Sequence, residues 1–402
     1  MEKRKASLGF YCGALLFFYY FTFGIFGSML TIYLSDLGKT PVEISFVLSA
    51  SGIFAIALQP VVGFLDDRVK NRKALGGAIL GLAAVAALCF TITRQTWLLF
   101  LLDGLVLSGM SSLLPIFEKI ATSGPYRYGT VRIWGSIGFA AASQLGSILY
   151  AHVWKHSVFF AAAAALLLTI FFLSRFSTAS MAQQPKEKKE QPKDWHPAKA
   201  LLGSKAYLLL LLLAVIFAGL SVMNETYLSL FLTDSGFTVP QSGLVLSLAV
   251  LMEIPLLLFS HRYMDGLSGK QLLFLVFGSL GIQFAGCWLL SANWIIAACV
   301  VLLRAIGSNM LFVMVSIKIV ASAVDEAYSS TALGIVEMVK SIGTILFQAF
   351  SGFLVEAQGF SGLYGVATVL AAAGLVISLF MRTNPQAEER PLFSGSKSRG
   401  EA

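Results

Sequence analysis

Six ionisable residues stand inside long apolar stretches of this chain: Asp103, Glu225, Glu253, Arg304, Glu337 and Lys340. A charge in hydrocarbon costs about 2.5–3.5 kcal/mol on insertion scales, so such residues face one another or a polar cavity. Five of the six lie in the second half, three acids against two bases, which leaves one carboxyl without a countercharge. A carboxyl in that position is suited to taking up and releasing a proton. Glu253, near the middle of its run, is the first candidate, with a fixed ion pair to Arg304 as the structural alternative. Glu337 and Lys340, three residues apart, share a helix face and can pair locally, and Glu337 is the next candidate for the proton. Glu225 either pairs with Lys340 or lies near a membrane interface, where an acid is cheap. Asp103, followed by Gly104, either lines a cavity or caps a helix end. None of His152, His156, His196 and His261 is mid-run, so no histidine relay is expected.

The elements that carry these residues are membrane spans. Of the 402 residues, 57% are hydrophobic and 12% charged, about half the charge of a soluble domain. Apolar runs long enough to cross a bilayer are Leu8–Leu34, Ile44–Leu65, Ala74–Ile92, Trp97–Phe117, Ile133–Val153 and Ser157–Leu173. After a polar stretch come Tyr207–Leu232, Gly243–Phe259, Leu272–Leu290, Trp294–Val320, Ser330–Val355 and Gly362–Phe380. The expected architecture is therefore an all-α membrane protein of twelve transmembrane helices in two six-helix bundles. Its expected divisions are 1–175, a linker at 176–205, 206–381, and a tail at 382–402. The first run is too long for the apolar core of a signal peptide and is expected to stay as a span.

The net charge of +8 sits in short loops rather than on a soluble face, so a nucleic-acid partner is not expected. Lys and Arg crowd the loops that share a side with the N-terminus, while the opposite loops hold Lys39, Arg94 and Lys155. Both termini are thus expected in the cytoplasm of an inner-membrane, multi-pass protein. Cys12, Cys89, Cys287 and Cys299 lie in apolar runs without a CxxC or a neighbouring His, and no metal or cofactor is expected. The linker, rich in Lys, Pro and Gln, has too few apolar residues for a core and can rest on anionic lipid.

The halves repeat. A shift of 198 positions lays Tyr33–Thr40 (YLSDLGKT) on Phe231–Thr238 (FLTDSGFT), and Asp67 on Asp265. Asp36, Gly38 and Thr40 then meet Asp234, Gly236 and Thr238. Two similar six-helix halves are a transporter architecture.

The segment Gly63–Lys73 (GFLDDRVKNRK), between the second and third spans, resembles the loop signature of the major facilitator superfamily. In that reading Asp67, Arg68, Arg72 and Lys73 latch helices that part during transport. Within the superfamily the chain resembles the oligosaccharide–proton and nucleoside–proton symporters related to lactose permease. Phe17–Gly24, Leu58–Asp67, Phe117–Phe139 with its YGTVRIWGSIGF, Glu253 and Lys340 carry the likeness. The resemblance implies a major facilitator fold and alternating access. It places the sugar-binding arginine on Arg132 and the stacking aromatic on Phe139. The eighth-helix binding and coupling carboxylate falls on Glu253, and the eleventh-helix lysine, paired with a seventh-helix acid, on Lys340, with Glu225 displaced from the family's position.

The departures are that Leu114 stands where the family has the acid that pairs with the arginine, and Gln283 where it has a ninth-helix arginine. The tenth-helix His and Glu fall around Arg304–Ala305 and Gly307–Ser308, so lactose itself is not the expected solute. The bland reading of Arg132 is a positive flank to the run Ile133–Val153. Tyr19, Tyr20 and Trp134 offer aromatic faces with a polar handle.

The expectation is a monomeric symporter of a small polar solute and a proton. The alternative is a drug–proton antiporter, for which one or two acids in the first half are expected. With no P-loop, no HExxH and no nucleophile–base set, neither ATP-driven transport nor an enzyme is expected.

Overall fold

The computed structural model describes residues 2–69, 71–123, 128–176, 203–258, 266–290, 293–324 and 328–381. Among them the regular structure is helical throughout. This follows from the solvent: in hydrocarbon a backbone must satisfy its own polar groups, and a helix does so within one segment. The helices are α1 Glu2–Asp36, α2 Pro41–Arg68, α3 Arg72–Cys89, α4 Thr96–Asp103, α5 Gly109–Ser123, α6 Tyr128–His152 and α7 Ser157–Ser174. They continue with α8 Lys205–Asp234, α9 Val239–Leu251, α10 Glu253–Leu258, α11 Gly269–Leu289, α12 Asn293–Leu303, α13 Asn309–Ala323 and α14 Ser329–Leu379.

Twelve spans result. A π-turn, Gly104–Ser108, joins α4 to α5 as one span. The pairs α9 with α10 and α12 with α13 are single spans with an interruption, while α14 is two spans broken at Gly359 (φ 67°, ψ −167°). Eight helices among the described residues are long and apolar enough to cross a membrane by length and composition alone. Within them hydroxyls are satisfied locally: Ser28, Thr169, Ser316 and Ser378 each donate to the carbonyl four residues back, at 2.6–2.8 Å.

The 198-residue repeat has a structural counterpart. Gly38 and Gly236 both adopt positive φ (79° and 93°). At the first, Lys39 N–H bonds the Leu34 carbonyl at 3.1 Å and Gly38 N–H bonds Ser35 at 2.9 Å; at the second, Phe237 bonds Leu232 at 3.0 Å and Gly236 bonds Thr233 at 3.1 Å. Both ends are Schellman closures, which need a residue free of Cβ at that conformation. Two residues on, Thr40 caps α2 reciprocally with Glu43, and Thr238 caps α9 reciprocally with Gln241. A second device also recurs: Lys73 at the start of α3 donates to the last carbonyl of α7, Ser174, at 3.1 Å. Lys270 at the start of α11 likewise donates to Leu379 at the end of α14, at 2.7 Å. A cation at a helix C-terminus complements the carbonyl end of the dipole.

Two compact units form. The first contains Met1–Lys186, Glu225–Leu251 and Gln348–Ala357; the second contains Glu187–Asn224, Met252–Phe347 and Gln358–Ala402. Short segments from the second half of the sequence thus cluster with the first half. Within the first unit α1 packs on α6 and α7, α3 on α7, and α2 on α4 and the π-turn. The α1–α6 approach depends on glycine: a Cβ on Gly24 would stand 2.6 Å from the Phe139 carbonyl oxygen, and one on Gly138 would strike that of Phe17.

The borrowed segments are tied in by polar contacts. Thr31 donates to the Thr226 carbonyl at 2.8 Å, and Thr226 in turn donates to Gln348 Oε1 at 2.8 Å. Tyr227 donates to the Pro41 carbonyl and shares a second hydrogen bond with Ser45, both at 2.8 Å. Helix α9 lies along α6 so closely that Gly243 meets Ser147 and the Ser143 carbonyl.

In the second unit α11 packs against α12 and α13, and Phe217 stacks on Phe312 with ring centroids 4.1 Å apart.

A Cβ at Gly243 would lie 2.6 Å from the Ser143 carbonyl oxygen, a backbone atom that cannot turn aside. Gly243→Val is therefore expected to destabilise this conformation by about 1–3 kcal/mol, the usual cost of overpacking. Thermal unfolding in detergent measures it, and an unchanged melting temperature would show that α9 does not rest on α6.

Candidate functional site

The residues singled out from the sequence fall into separate groups. In the first unit, the start of α6 carries Arg132, whose Nε stands 3.3 Å from Glu118 Oε1 on α5. Both side chains are about a quarter exposed, at 22% and 28%. The guanidinium carbon lies over the Tyr20 ring of α1 at 4.4 Å from its centroid. Arg132 is thus fixed in orientation by an acid on one side and an aromatic face below, and the ion pair engages only part of its five-donor fork. Such an arrangement can offer the remaining donors to hydroxyl or carbonyl oxygens.

Glu118 is the residue that the sequence reading missed. The family's acid position is occupied by Leu114, but Glu118 lies four residues on, one turn along the same face of α5. That spacing was the available signal. Phe139 is partly buried, its ring packed over Gly27 of α1, with the ring's far edge 3.6 Å from where a Cβ would stand. Tyr19, by contrast, is fully buried and donates to the Met110 carbonyl at 2.7 Å, which makes it a structural tie between α1 and α5. Trp134 is half exposed and rests on Gly13.

The second unit holds Lys340, nearly buried, with Nζ donating to Asn309 Oδ1 at 3.0 Å and to the two Glu337 oxygens at 3.0 and 3.1 Å. Local pairing between Glu337 and Lys340 is therefore realised; Glu225 belongs to the first unit. Asn309 was not foreseen, because it is positioned by an interruption: α12 stops at Leu303, and α13 starts at Asn309 under the Ser308 cap.

Interruptions also place the other charges. Pro255 has no N–H for the Leu251 carbonyl, so the eighth span breaks at Met252 and Glu253 opens the short α10. Arg304 starts the gap between α12 and α13, and Asp103 is the last residue before the π-turn. Gln283, at the family's arginine position, is fully buried on α11, with neither amide atom hydrogen-bonded.

Of the latch residues, Arg68 lies over Phe64 at 4.0 Å, and Lys73 bonds Ser174 as described above. The side chains of Asp67 and Arg72 lie outside the described residues.

Twelve apolar spans in two repeated halves, with charges drawn to helix breaks and to paired sites, define a secondary transporter of the major facilitator type. The chain belongs to the MFS_1 like family, which its residues 12–366 match. It is 22% identical to the maltose permease of Geobacillus stearothermophilus, over 91% of this chain and 92% of that one. Identity to the raffinose permease of Escherichia coli is 23%, over 94% and 95%. The crystal structure of the nucleoside transporter NupG shares the fold, with a TM-score of 0.74 at 18% identity over 92% and 97% of the two chains. This is accordingly an integral multi-pass membrane protein that carries small solutes, and not an enzyme.

Burial is unequal across the Lys340–Glu337 pair: the lysine side chain is 9% exposed and the glutamate 58%. Glu337→Ala leaves a buried ammonium with Asn309 and the Phe312 ring but no countercharge beside it, whereas the apolar Lys340→Met leaves an exposed carboxylate. The expected order of melting temperatures is therefore Lys340→Met above Glu337→Ala, with the double variant close to Lys340→Met. The reverse order would place the decisive partner of Lys340 elsewhere.

Proposed function

We propose that this chain takes up a small polar solute, a sugar, oligosaccharide or nucleoside, together with a proton, by alternating access. The observation that carries the reading is Arg132, held between Glu118 and the face of Tyr20. A planar fork beside an aromatic ring is what hydroxyl-bearing rings and bases are bound by. The printed names of the relatives, permeases for maltose and raffinose and a nucleoside transporter, lie in the same chemical range. Phe139 is a further proposed solute contact of the first unit, and Glu253 is the proposed one of the second. Glu253 carries the proton, with Glu337 as the reserve; Arg304 and Lys340 balance charge in the second unit and Glu225 in the first. Asp67, Arg68, Arg72 and Lys73 form the latch of the conformational cycle. The working protein is a monomer in the inner membrane with both termini cytoplasmic.

A drug–proton antiporter is the second reading, and one observation favours it: the acids Asp103 and Glu118 lie in the first unit. Right-side-out and inverted vesicles, given labelled maltose, raffinose and uridine with and without an imposed pH gradient, separate the two. Accumulation that ignores the gradient discards symport.

Two variants probe the roles. Lysine keeps the charge of Arg132 but not its fork, so Arg132→Lys is expected to weaken binding of the transported solute roughly ten-fold, about 1.4 kcal/mol, with unchanged expression. Normal transport by that variant would return Arg132 to a flanking charge. Glu253→Gln mimics the protonated acid permanently, so solute exchange is expected to persist while gradient-driven accumulation fails. If Glu253→Gln vesicles still concentrate solute with an acidic exterior, the proton travels by another residue.

A further inference from the structure

The most deeply buried acid among the described residues of the first unit has no part in the symport reading. Asp103 is completely buried at the end of α4, and neither of its carboxyl oxygens has a well-formed hydrogen bond, the backbone of Ser51 on α2 being the donor beside it. Helices α2 and α3 pack on α4, and α2, α3 and α5 pack on the π-turn that follows it. The neighbouring Gly104 is covered by the Phe54 ring of α2, with the ring within 2.6 Å of where a Cβ would stand.

The described titratable groups of the surrounding helices are engaged or remote in sequence from this contact. Glu43, at the start of α2, bonds Thr40 and Thr96 and pairs with Lys39. Arg68 at the other end of α2 lies on Phe64, and Lys73 of α3 bonds Ser174. Cys89 closes α3, and Glu118 of α5 pairs with Arg132. An ionised carboxylate at Asp103 would have no countercharge among the described residues and only the Ser51 backbone beside it as a donor, a state that proteins avoid by binding a proton.

The backbone beside it is equally unusual. The Gly104–Ser108 segment is a π-turn, a one-residue bulge in an otherwise α-helical span, with Ser108 bonded back to the Gly104 carbonyl. Relaxation of one π-turn to α-helix rotates the residues on one side of it by about 100° relative to the other.

We propose that Asp103 is a proton-binding site of the first unit, loaded in this conformation and emptied when the π-turn relaxes and carries the carboxyl to water. The carboxylate gains one proton from water on one face of the membrane and returns it on the other; no other bond changes. The assignment of this site to a transport cycle rests on the proton-coupled reading, and adds a site to Glu253 rather than replacing it.

Infrared difference spectroscopy of the full chain in lipid nanodiscs tests it without knowledge of the solute. The wild type at neutral pH is expected to show the carbonyl stretch of a protonated carboxylic acid that Asp103→Asn abolishes and Glu253→Gln leaves in place. On transfer to heavy water that component is expected to shift, because the site exchanges its proton during the cycle. Should the asparagine variant not fold, Asp103→Glu keeps the acid, and the component moves instead of vanishing. Absence of any component dependent on Asp103 overturns the proposal, and so does one that never shifts in heavy water. If the vesicle assay shows no response to a pH gradient while the band is present and exchanges, the cycle assignment falls. Gradient-driven accumulation without the band rejects Asp103 alone.

Discussion

Hydrocarbon offers no hydrogen bond and no countercharge, and nearly every feature of this protein answers that constraint. The backbone answers it by being helical over every span, and hydroxyls answer it by bonding the preceding turn, as Ser28 and Ser378 do. Charged groups cannot satisfy themselves within one turn, so Arg132 and Lys340 each reach another element. Arg132 on α6 meets Glu118 on α5 and the ring of Tyr20 on α1; Lys340 on α14 meets Asn309 on α13 as well as its own Glu337. The charges that make function possible are therefore also what fixes the rotation of neighbouring helices.

The same constraint explains why the helix interruptions matter. A break frees backbone groups, which in lipid is tolerated only where protein or a lined cavity receives them. Three of the intramembrane charges stand at such points: Asp103 at the π-turn, Glu253 after the Met252 break, and Arg304 at the gap before α13. At these points the backbone is least committed to one geometry, which suits a machine that alternates between conformations. Continuous helices carry Glu225 and the Glu337–Lys340 pair instead.

Duplication shows which parts of a half are geometrically demanding. Between the halves most apolar positions have drifted, yet the Schellman glycines Gly38 and Gly236, the reciprocal caps at Thr40 and Thr238, and the cation at a partner helix's end are all present twice. Each closes a helix terminus with few chemical alternatives, whereas a lipid-facing Leu, Ile or Phe can be exchanged at little cost.

The amino-acid sequence by itself determined the twelve spans, the repeat and the positions of the charges within the apolar runs, because hydropathy acts over a few neighbouring residues and the repeat is read by direct superposition. The local pairing of Glu337 with Lys340 was legible for the same reason, since three residues along a helix bring side chains together. Only the tertiary structure decided that Glu118 serves Arg132 where Leu114 cannot, that Asn309 completes the Lys340 site, and that Asp103 is sealed without a countercharge among the described residues. Those outcomes depend on the rotation and register of helices distant in sequence. A π-turn at Gly104–Ser108 shifts that register by one residue, which no spacing pattern along the chain announces.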